Sequence, residues 1–237
     1  MKPYQSVPIA ECGEPLSAIP ETLFALASPH PYQALDAPYG GRSPYSLREG
    51  IVARLVLAHA RLQQLQPGWR LRIHDAYRPV AVQRFMVEHA FGEEVRAGGR
   101  SAGSLDETER ARLMEKVLRF WAIPSDDAKT PPPHSTAAAV DVTLVDRRGE
   151  LVDMGCPIDE LSERADPGHF ASSQSEVERE YSRNRETLRE AMEAGEFLRH
   201  PAEWWHFSFG DQLWAWLRRQ EGDRNAVAVY GRCEGGE

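Results

Sequence analysis

The chain has 237 residues, of which 41% are hydrophobic, so it can form one large domain or two small ones with a real core. Its 36 acidic and 28 basic residues give a net charge of -8, which argues against a nucleic-acid partner and is ordinary for a soluble enzyme. The three cysteines lie far apart without a Cys-x-x-Cys pair, so neither a disulfide framework nor a cysteine-bound zinc is indicated.

The N-terminal part of the sequence carries few signals of regular structure. No apolar run follows Lys2, so no signal peptide is expected, and no later segment is apolar enough for a membrane-spanning helix. We therefore expect a cytoplasmic protein with no membrane partner. Residues 1–45 are rich in Pro, Gly and Tyr and predict a largely irregular N-terminal wrap, with at most one or two helical turns over residues 20–26. His30, bracketed by prolines, is predicted to face solvent.

The remaining chain alternates between helical and strand patterns. Helices are predicted after a capping box at residues 46–49, from Pro79 to about Phe91, from Asp106 to before Pro124, from Ser175 to Ala194, and from Asp211 to Gln220. Strands are predicted over residues 69–75, 139–146, 151–154, 204–209 and 226–230, the second and third as a hairpin, with a loop over 93–104. We find no repeat and no linker. The mixed order predicts a single α+β domain over residues 1–237.

Two stretches place an imidazole and a carboxylate among apolar neighbours. One contains His134 and Asp141, and the other, some seventy residues later, contains Glu203 and His206. Burying even one unpaired polar group costs roughly 1–3 kcal/mol, so such groups are expected to be paired or metal-bound. Catalytic zinc usually has three protein ligands and an open position for water. We therefore predict one zinc ion held by His134, Asp141 and His206, with Glu203 as the acid–base group.

This interpretation makes a demand on the backbone. Glu203 and His206 are three residues apart, so on a regular strand their side chains would face opposite sides. Both can reach one site only if the backbone bends near Glu203, which Pro201 favours. The intervening Trp204 and Trp205 would either wall off the site or belong to the core.

Arg78 is a further candidate, because it lies between a predicted strand and a predicted helix, a common place for functional groups. A salt bridge that holds the turn explains the position of Arg78 equally well.

The segment Tyr77-Arg78-Pro79, with His134-x6-Asp141 and Glu203-Trp204-Trp205-His206, resembles the VanX-type D-alanyl-D-alanine dipeptidases. These belong to a wider group of zinc D-Ala-D-Ala peptidases that includes carboxypeptidases and Hedgehog-like domains. The resemblance extends from about Ser46 to Trp216, and further matches are Met154-Gly155-x3-Asp159-Glu160 and Ser208-Phe209-Gly210-Asp211-Gln212-Leu213-Trp214.

The resemblance implies a function and a role for each matching residue. It implies zinc-dependent hydrolysis of a small D,D-dipeptide, with His134, Asp141 and His206 as the zinc ligands. Glu203 would be the general base and then the general acid. Arg78 would stabilise the developing oxyanion, and Asp159 would bind the free ammonium of the dipeptide. The implied fold has a central, mainly antiparallel sheet flanked by helices.

Two positions depart from the family pattern Ser-x-His-x-x-Gly-x-Ala-x-Asp. Pro132 stands at the serine position and Ala137 at the glycine position. If the family glycine has a positive φ, alanine would strain the loop there. Both departures leave the metal ligands intact and put the identity of the substrate in doubt.

Two alternatives remain open from the sequence. One is a zinc D,D-carboxypeptidase acting on longer cell-wall peptides, and the other is a zinc-binding module without activity. The retained Glu203 and Arg78 argue against the second alternative, because a structural zinc needs neither. The other histidines, His74, His89, His169 and His200, are predicted to be surface or packing residues. The sequence does not indicate an oligomeric state.

Overall fold

A five-stranded sheet lies at the centre of the protein in a computed structural model, which describes residues 2–233. The strands are β1 Leu16–Ala18, β2 Ala25–Leu26, β3 Ser46–Arg48, β4 Arg70–Asp75, β5 Ala139–Val145, β6 Leu198–Arg199 and β7 His206–Ser208. The central sheet has the order β2-β4-β5-β7-β6, in which β2 pairs with β4 in parallel and the other neighbours are antiparallel. Strands β1 and β3 form a separate antiparallel pair.

Within the described part of the chain, five α-helices flank the sheet: α1 Glu49–Leu65, α2 Val80–Ala97, α3 Glu107–Phe120, α4 Glu176–Ala194 and α5 Gln212–Gln220. The α+β class and the mainly antiparallel sheet are confirmed. Asp106 and Glu109 form a reciprocal capping box at the start of α3, as the sequence at this point predicts. No helix within residues 2–233 combines the length and the apolar character that crossing a bilayer would require.

Strand β5 joins the core to the site. Val140, Val142 and Leu144 are fully buried in the main core, which α1 and α4 also contribute to. Because side chains alternate along a strand, Asp141 lies on the other face. The predicted division of this strand into two faces is therefore confirmed.

Several predicted boundaries are wrong because pairing partners override local sequence. Ser46–Arg48 is not a capping box but strand β3, which pairs with β1. Helix α2 continues past Phe91 into the predicted loop over residues 93–104 and ends at Ala97. The segment predicted as a helical turn forms a turn followed by β2, which pairs with β4.

The C-terminal predictions also need correction. The strand predicted over 204–209 is limited to β7, and the one predicted over 226–230 is reduced to a bridge between Ile9 and Ala228. The predicted hairpin after β5 is present but short: Val145 and Leu151 form an antiparallel bridge, flanked by the backbone hydrogen bonds from Asp146 N–H to Glu150 O over 2.9 Å and from Val152 N–H to Leu144 O over 3.0 Å. The segments 151–154 and 226–230 each have a single bridge instead of a continuous strand neighbour, so their extended sequence pattern does not produce a further strand of the sheet.

Candidate active site

Three separate elements bring the predicted metal ligands together. His134 lies in a short 3-10 helix, Pro133–Thr136, that leads into β5, and Asp141 lies on β5 itself. The antiparallel register of β5 and β7 places His206 directly opposite Asp141. All three side chains are buried, and their ligand atoms lie within 4.8 Å of one another. They form a group that could hold a metal ion.

Hydrogen bonds on the far side of each imidazole fix which nitrogen faces the group. His134 Nδ1 lies 2.8 Å from the carbonyl oxygen of Ala76, so it must carry the proton and leave Nε2 with its lone pair. His206 Nε2 lies 3.3 Å from Ser208 Oγ, and that hydroxyl donates to Asp211 Oδ2 over 3.0 Å. His206 Nδ1 then also presents a lone pair. Such outer partners orient metal-binding histidines in proteins.

The inward-facing atoms are close together and are all acceptors. His134 Nε2 lies 3.2 Å from His206 Nδ1 and 3.3 Å from Asp141 Oδ2, and His206 Nδ1 lies 3.0 Å from Asp141 Oδ1. Burial lowers the pKa of His134, but the Asp141 carboxylate outweighs burial and raises that pKa above its usual value. This part of the site therefore favours an added positive charge.

Glu203 lies in a tight turn immediately before β7. The amide N–H of His200 donates to His206 O over 2.9 Å, which folds the chain between them back on itself. The bend that the sequence requires is therefore present, and Glu203 and His206 line the same pocket. Burial raises the pKa of Glu203 well above its usual range, and the Asp141 and Asp159 carboxylates raise it further.

The two tryptophans that follow Glu203 have different surroundings. Trp204 is buried in the main core, and its indole N–H donates to Cys156 Sγ over 3.3 Å. Trp205 also contacts the core and lines the pocket beside Glu203. Both interpretations offered for the pair are therefore correct, one for each residue.

Arg78 combines the two roles that the sequence left open. Its Nε donates to Asp75 Oδ2 over 3.0 Å and its Nη2 to Asp141 Oδ2 over 3.3 Å, so it is part of a buried ion-pair network. Its Nη1 donates to Gln83 Oε1 over 2.8 Å and its Nη2 to Tyr32 Oη over 3.1 Å. The same guanidinium lines the pocket beside the metal-ligand candidates.

Asp75, at the end of β4, is fully buried and contacts both Arg78 and His134. His30 Nε2 lies 3.1 Å from Asp75 Oδ1, and Tyr39 donates to the same oxygen over 3.2 Å. The prediction that His30 faces solvent is therefore wrong, because the proline-rich wrap turns it inward onto this carboxylate. Asp75 Oδ2 also lies 3.4 Å from His134 Nδ1.

Asp159 lies across the pocket with part of its side chain exposed. Tyr32 donates its hydroxyl to Asp159 Oδ2 over 2.7 Å and accepts from Arg78, so it joins the two residues. His74 Nε2 lies 3.8 Å from the same carboxylate oxygen. A partly exposed carboxylate beside a hydroxyl is suited to a cationic ligand group.

Ala137 has a left-handed backbone conformation, with φ 56° and ψ 30°. The family pattern has glycine at this position, and the structure shows why: the chain must reverse between the 3-10 helix and β5. An L-residue in this conformation costs about 1–2 kcal/mol. Ala137 N–H donates to His134 O over 3.2 Å, which closes the turn. His134 therefore still reaches the site despite the alanine.

The pocket beside these groups is narrow, with a volume of about 40 Å³. Apart from the residues described above, the side chains that line it include Lys2, Tyr4, Phe120, Trp121, Leu161, His200 and Leu213. His200, predicted as a surface or packing residue, is largely buried there, and burial followed by the nearby His206 lowers its pKa to about 3.

Sequence reasoning missed the residues that support the site. Asp75 had a recognisable signal, since it is a carboxylate at the end of a buried strand, three residues before Arg78. Ser208 and Asp211 occur in a motif that matches the family, but that match gave them no role. Tyr32 and Gln83 carry no local signal, because they reach the site only through the tertiary fold.

Two imidazoles and a carboxylate beside a buried glutamate and an arginine are a donor set typical of metallopeptidases. A family model described as Peptidase_M15, D-ala-D-ala dipeptidase, matches residues 26–223. A protein named D-alanyl-D-alanine dipeptidase from Synechocystis sp. is 46% identical over 241 residues, covering 99% of this chain and 98% of the relative. The chain therefore belongs to the D-Ala-D-Ala dipeptidase family of the M15 metallopeptidases.

More distant relatives carry the same name. One from Enterococcus faecium is 31% identical over 170 residues, covering 71% of this chain and 73% of the relative. One from Enterococcus faecalis is 27% identical over 159 residues, covering 67% of this chain and 71% of the relative. The family resemblance noted in the motifs is thus confirmed over most of the chain.

Proposed function

We propose that this protein is a zinc-dependent dipeptidase that hydrolyses D-alanyl-D-alanine, or a close D-amino-acid dipeptide, to free amino acids. The observation that carries the proposal is the convergence of three acceptor atoms beside buried Glu203 and Arg78, in a chain of this family. Neither the glutamate nor the arginine is needed by a structural metal, so their positions favour an enzyme over a binding module.

The donor set suits one zinc ion held by His134, Asp141 and His206. Bond lengths of about 2.0–2.1 Å in a tetrahedral zinc site place neighbouring ligand atoms roughly 3.3 Å apart. The two imidazole nitrogens lie 3.2 Å apart, and each lies near one oxygen of Asp141, His206 Nδ1 at 3.0 Å from Oδ1 and His134 Nε2 at 3.3 Å from Oδ2, which are separations close to that value. The two neutral imidazoles and one carboxylate would leave a zinc ion with a net positive charge.

Glu203 is proposed to move the proton during hydrolysis. Zinc, when bound, supplies Lewis acidity and lowers the pKa of water in the site. Glu203 would accept a proton from the attacking water and deliver it to the nitrogen of the departing D-alanine. Its raised pKa suits the second step, because a carboxylic acid must hold the proton before it can donate it.

Arg78 is proposed to stabilise the negative charge that develops on the scissile carbonyl oxygen. Its hydrogen bonds to Asp75, Asp141, Gln83 and Tyr32 engage four of its five N–H groups within the described residues 2–233. One Nη1–H is left for a ligand. The surrounding bonds hold the guanidinium rigid, so this donor is oriented before the substrate binds.

Asp159 is proposed to bind the ammonium group of the dipeptide. The Tyr32 hydroxyl donates to one carboxylate oxygen, and the other oxygen, which has no hydrogen-bond partner among residues 2–233, would accept from the substrate. A small pocket with a fixed anionic end favours a free dipeptide over the longer peptides that a carboxypeptidase would accept.

We also propose a cytoplasmic location, for which the three free cysteines Cys12, Cys156 and Cys233 are the supporting observation.

The test is release of free D-alanine by the purified protein with and without added zinc. Three substrates separate the alternatives: D-Ala-D-Ala, L-Ala-L-Ala and an acylated tripeptide ending in D-Ala-D-Ala. We expect zinc-dependent release from the free D,D-dipeptide alone. Release from the acylated tripeptide would instead favour a carboxypeptidase. A zinc-bound protein inactive on all three would contradict the proposal and direct attention to the substitutions Pro132 and Ala137.

A further inference from the structure

A free dipeptide has an ammonium at one end and a carboxylate at the other. The groups assigned above account for the ammonium, through Asp159, and for the scissile bond. Arg78 is the cation nearest the reacting groups, but its ion pairs with Asp75 and Asp141 already engage it. The substrate carboxylate therefore needs another hydrogen-bond donor in the pocket, and a cationic donor would bind it most strongly.

Among the described residues, Lys2 is the other lysine or arginine that lines this pocket. Its side chain lines the same pocket as Glu203, His200 and the metal-ligand candidates. Its ammonium donates to the carbonyl oxygen of Arg119 over 3.2 Å, a bond that engages one of three N–H groups. Within residues 2–233, no carboxylate lies within ion-pairing distance of it. Burial lowers the pKa of Lys2 and the Glu203 carboxylate raises it, as expected for two groups that face one pocket.

The N-terminal segment that carries Lys2 is anchored rather than loose. The backbone N–H of Lys2 donates to Gln5 Oε1 over 2.8 Å, closing the 3-10 helix Pro3–Ser6. Gln212, at the start of α5, donates through Nε2 to Val7 O over 2.7 Å and to Gln5 O over 3.3 Å. Tyr4 is buried and also lines the pocket. The segment therefore forms a fixed wall of the site.

We propose that Lys2 is a specificity-determining residue that binds the C-terminal carboxylate of the substrate, with the Pro3–Ser6 segment as the wall that excludes substrates extended at their C-terminus. This inference rests on the proposed function and adds the second recognition point to it. Asp159 and Lys2 would bind the opposite ends of an extended dipeptide, which spans roughly 7 Å. A substrate lengthened at its C-terminus would lose the carboxylate contact and collide with the wall.

The experiment compares D-Ala-D-Ala with D-alanyl-D-alaninamide, which has the same shape but no C-terminal charge. The wild type, Lys2→Met and Lys2→Arg are made with a C-terminal tag, so that the N-terminal segment is unaltered. The control is Lys116→Met, which removes an exposed lysine paired with Glu94 on the surface. Zinc content and thermal unfolding are measured for all four proteins.

We expect Lys2→Met to raise KM for D-Ala-D-Ala by about 10- to 100-fold, the range for loss of a hydrogen bond to a charged group, with kcat little changed. Its activity on the amide should equal that of the wild type, so the preference for the acid disappears. Lys2→Arg should retain most of the preference, and Lys116→Met all of it. An unchanged preference in Lys2→Met, or an equal loss on both substrates, would overturn the inference.

Direct binding separates this inference from the proposed function. Calorimetric titration gives Kd for both ligands whether or not hydrolysis occurs. If the wild type cleaves neither substrate, the proposed function fails, and the Kd ratio of acid to amide in wild type and Lys2→Met still decides the role of Lys2. A wild type that binds the acid no better than the amide would overturn it.

Discussion

Asp75 supports both sides of the site at the level of single residues. It ion-pairs with Arg78 and lies within 3.4 Å of His134 Nδ1, so one carboxylate orients the arginine and a metal-ligand candidate. Burial raises its pKa, but Arg78 and the histidines His30 and His134 outweigh burial and lower the pKa to about 2. A lowered pKa means that the ionised form stabilises the fold.

Asp75→Asn tests this support through its pH dependence. Removing one partner of a buried ion pair costs about 3–5 kcal/mol, so we expect a loss of that order in the free energy of unfolding at pH 7. The ionised carboxylate contributes above its unfolded-state pKa of 3.8, and its contribution disappears as pH falls towards about 2. Urea unfolding of metal-free wild type and variant should therefore show a gap that narrows below pH 4. A gap independent of pH would contradict the assignment.

Glu203 gives a sharper prediction about chemistry. Glu203→Gln keeps the shape of the side chain but cannot accept a proton, so we expect kcat to fall by about 10²–10⁴-fold with metal content unchanged. Glu180→Gln, on the exposed face of α4, is the matched control and should be fully active. Metal analysis and D-alanine release measure the two quantities. Near-normal turnover by Glu203→Gln would remove its proposed role.

The sequence pointed to the metal-ligand candidates, but it did not predict the positions of residues that reach the site only through a distant partner. His134 and Asp141 could be found because imidazoles and carboxylates among apolar neighbours are unusual in any sequence. Tyr32 reaches the site through a contact with Asp159, which is 127 positions away in the chain. His30 was placed wrongly because its partner Asp75 is 45 positions away. Local sequence contains no record of such distant partners.

At the level of elements, helix α4 holds the loop that presents Asp159. Arg185 on α4 is fully buried and donates over 2.8 Å to each of three loop carbonyls, those of Met154, Arg164 and Asp166. The loop therefore takes its shape from one guanidinium instead of from a strand neighbour. This explains why the sequence between β5 and α4 has no regular pattern and yet places a carboxylate in the pocket.

Arg185→Met should loosen this loop. Three carbonyls lose their donor, so we expect a loss of at least about 3 kcal/mol in the free energy of unfolding. KM for the dipeptide should rise because Asp159 is less well positioned, while zinc content stays at one ion per chain. Arg183→Met, on the exposed side of the same helix, is the control and should change neither quantity. An Arg185→Met protein with normal stability and normal KM would contradict the proposal that Arg185 holds this loop in place.

Helices were predicted better than strands for a physical reason. A helix satisfies its own backbone hydrogen bonds, so spacing and caps near Asp106 and Asp211 are enough to locate α3 and α5. A strand depends on a partner that the local sequence does not name. A strand can therefore be missed, as at Ser46–Arg48, which was predicted as a helix cap. A strand can also be predicted where only a single bridge forms, as over residues 226–230.

At the scale of the whole molecule, elements that are far apart in the chain meet at the group formed by His134, Asp141 and His206. His134 and His206 are 72 positions apart and lie on different elements, joined through Asp141 on the central strand β5. An ion that bound all three would link these elements in the native state and would have no equivalent site in the unfolded chain. Metal binding should therefore stabilise the entire fold.

Zinc removal tests this coupling at the scale of the whole protein. At a free zinc concentration about 100 times Kd, binding adds about 2.7 kcal/mol. For a chain of this size that corresponds to a rise in Tm of about 5–10 °C, which a chelator should reverse. His134→Ala should lose this zinc-dependent shift, whereas His169→Ala, which alters an exposed histidine, should retain it. A full shift in His134→Ala would mean that the stabilising ion binds elsewhere, and that the buried acceptor group has another purpose.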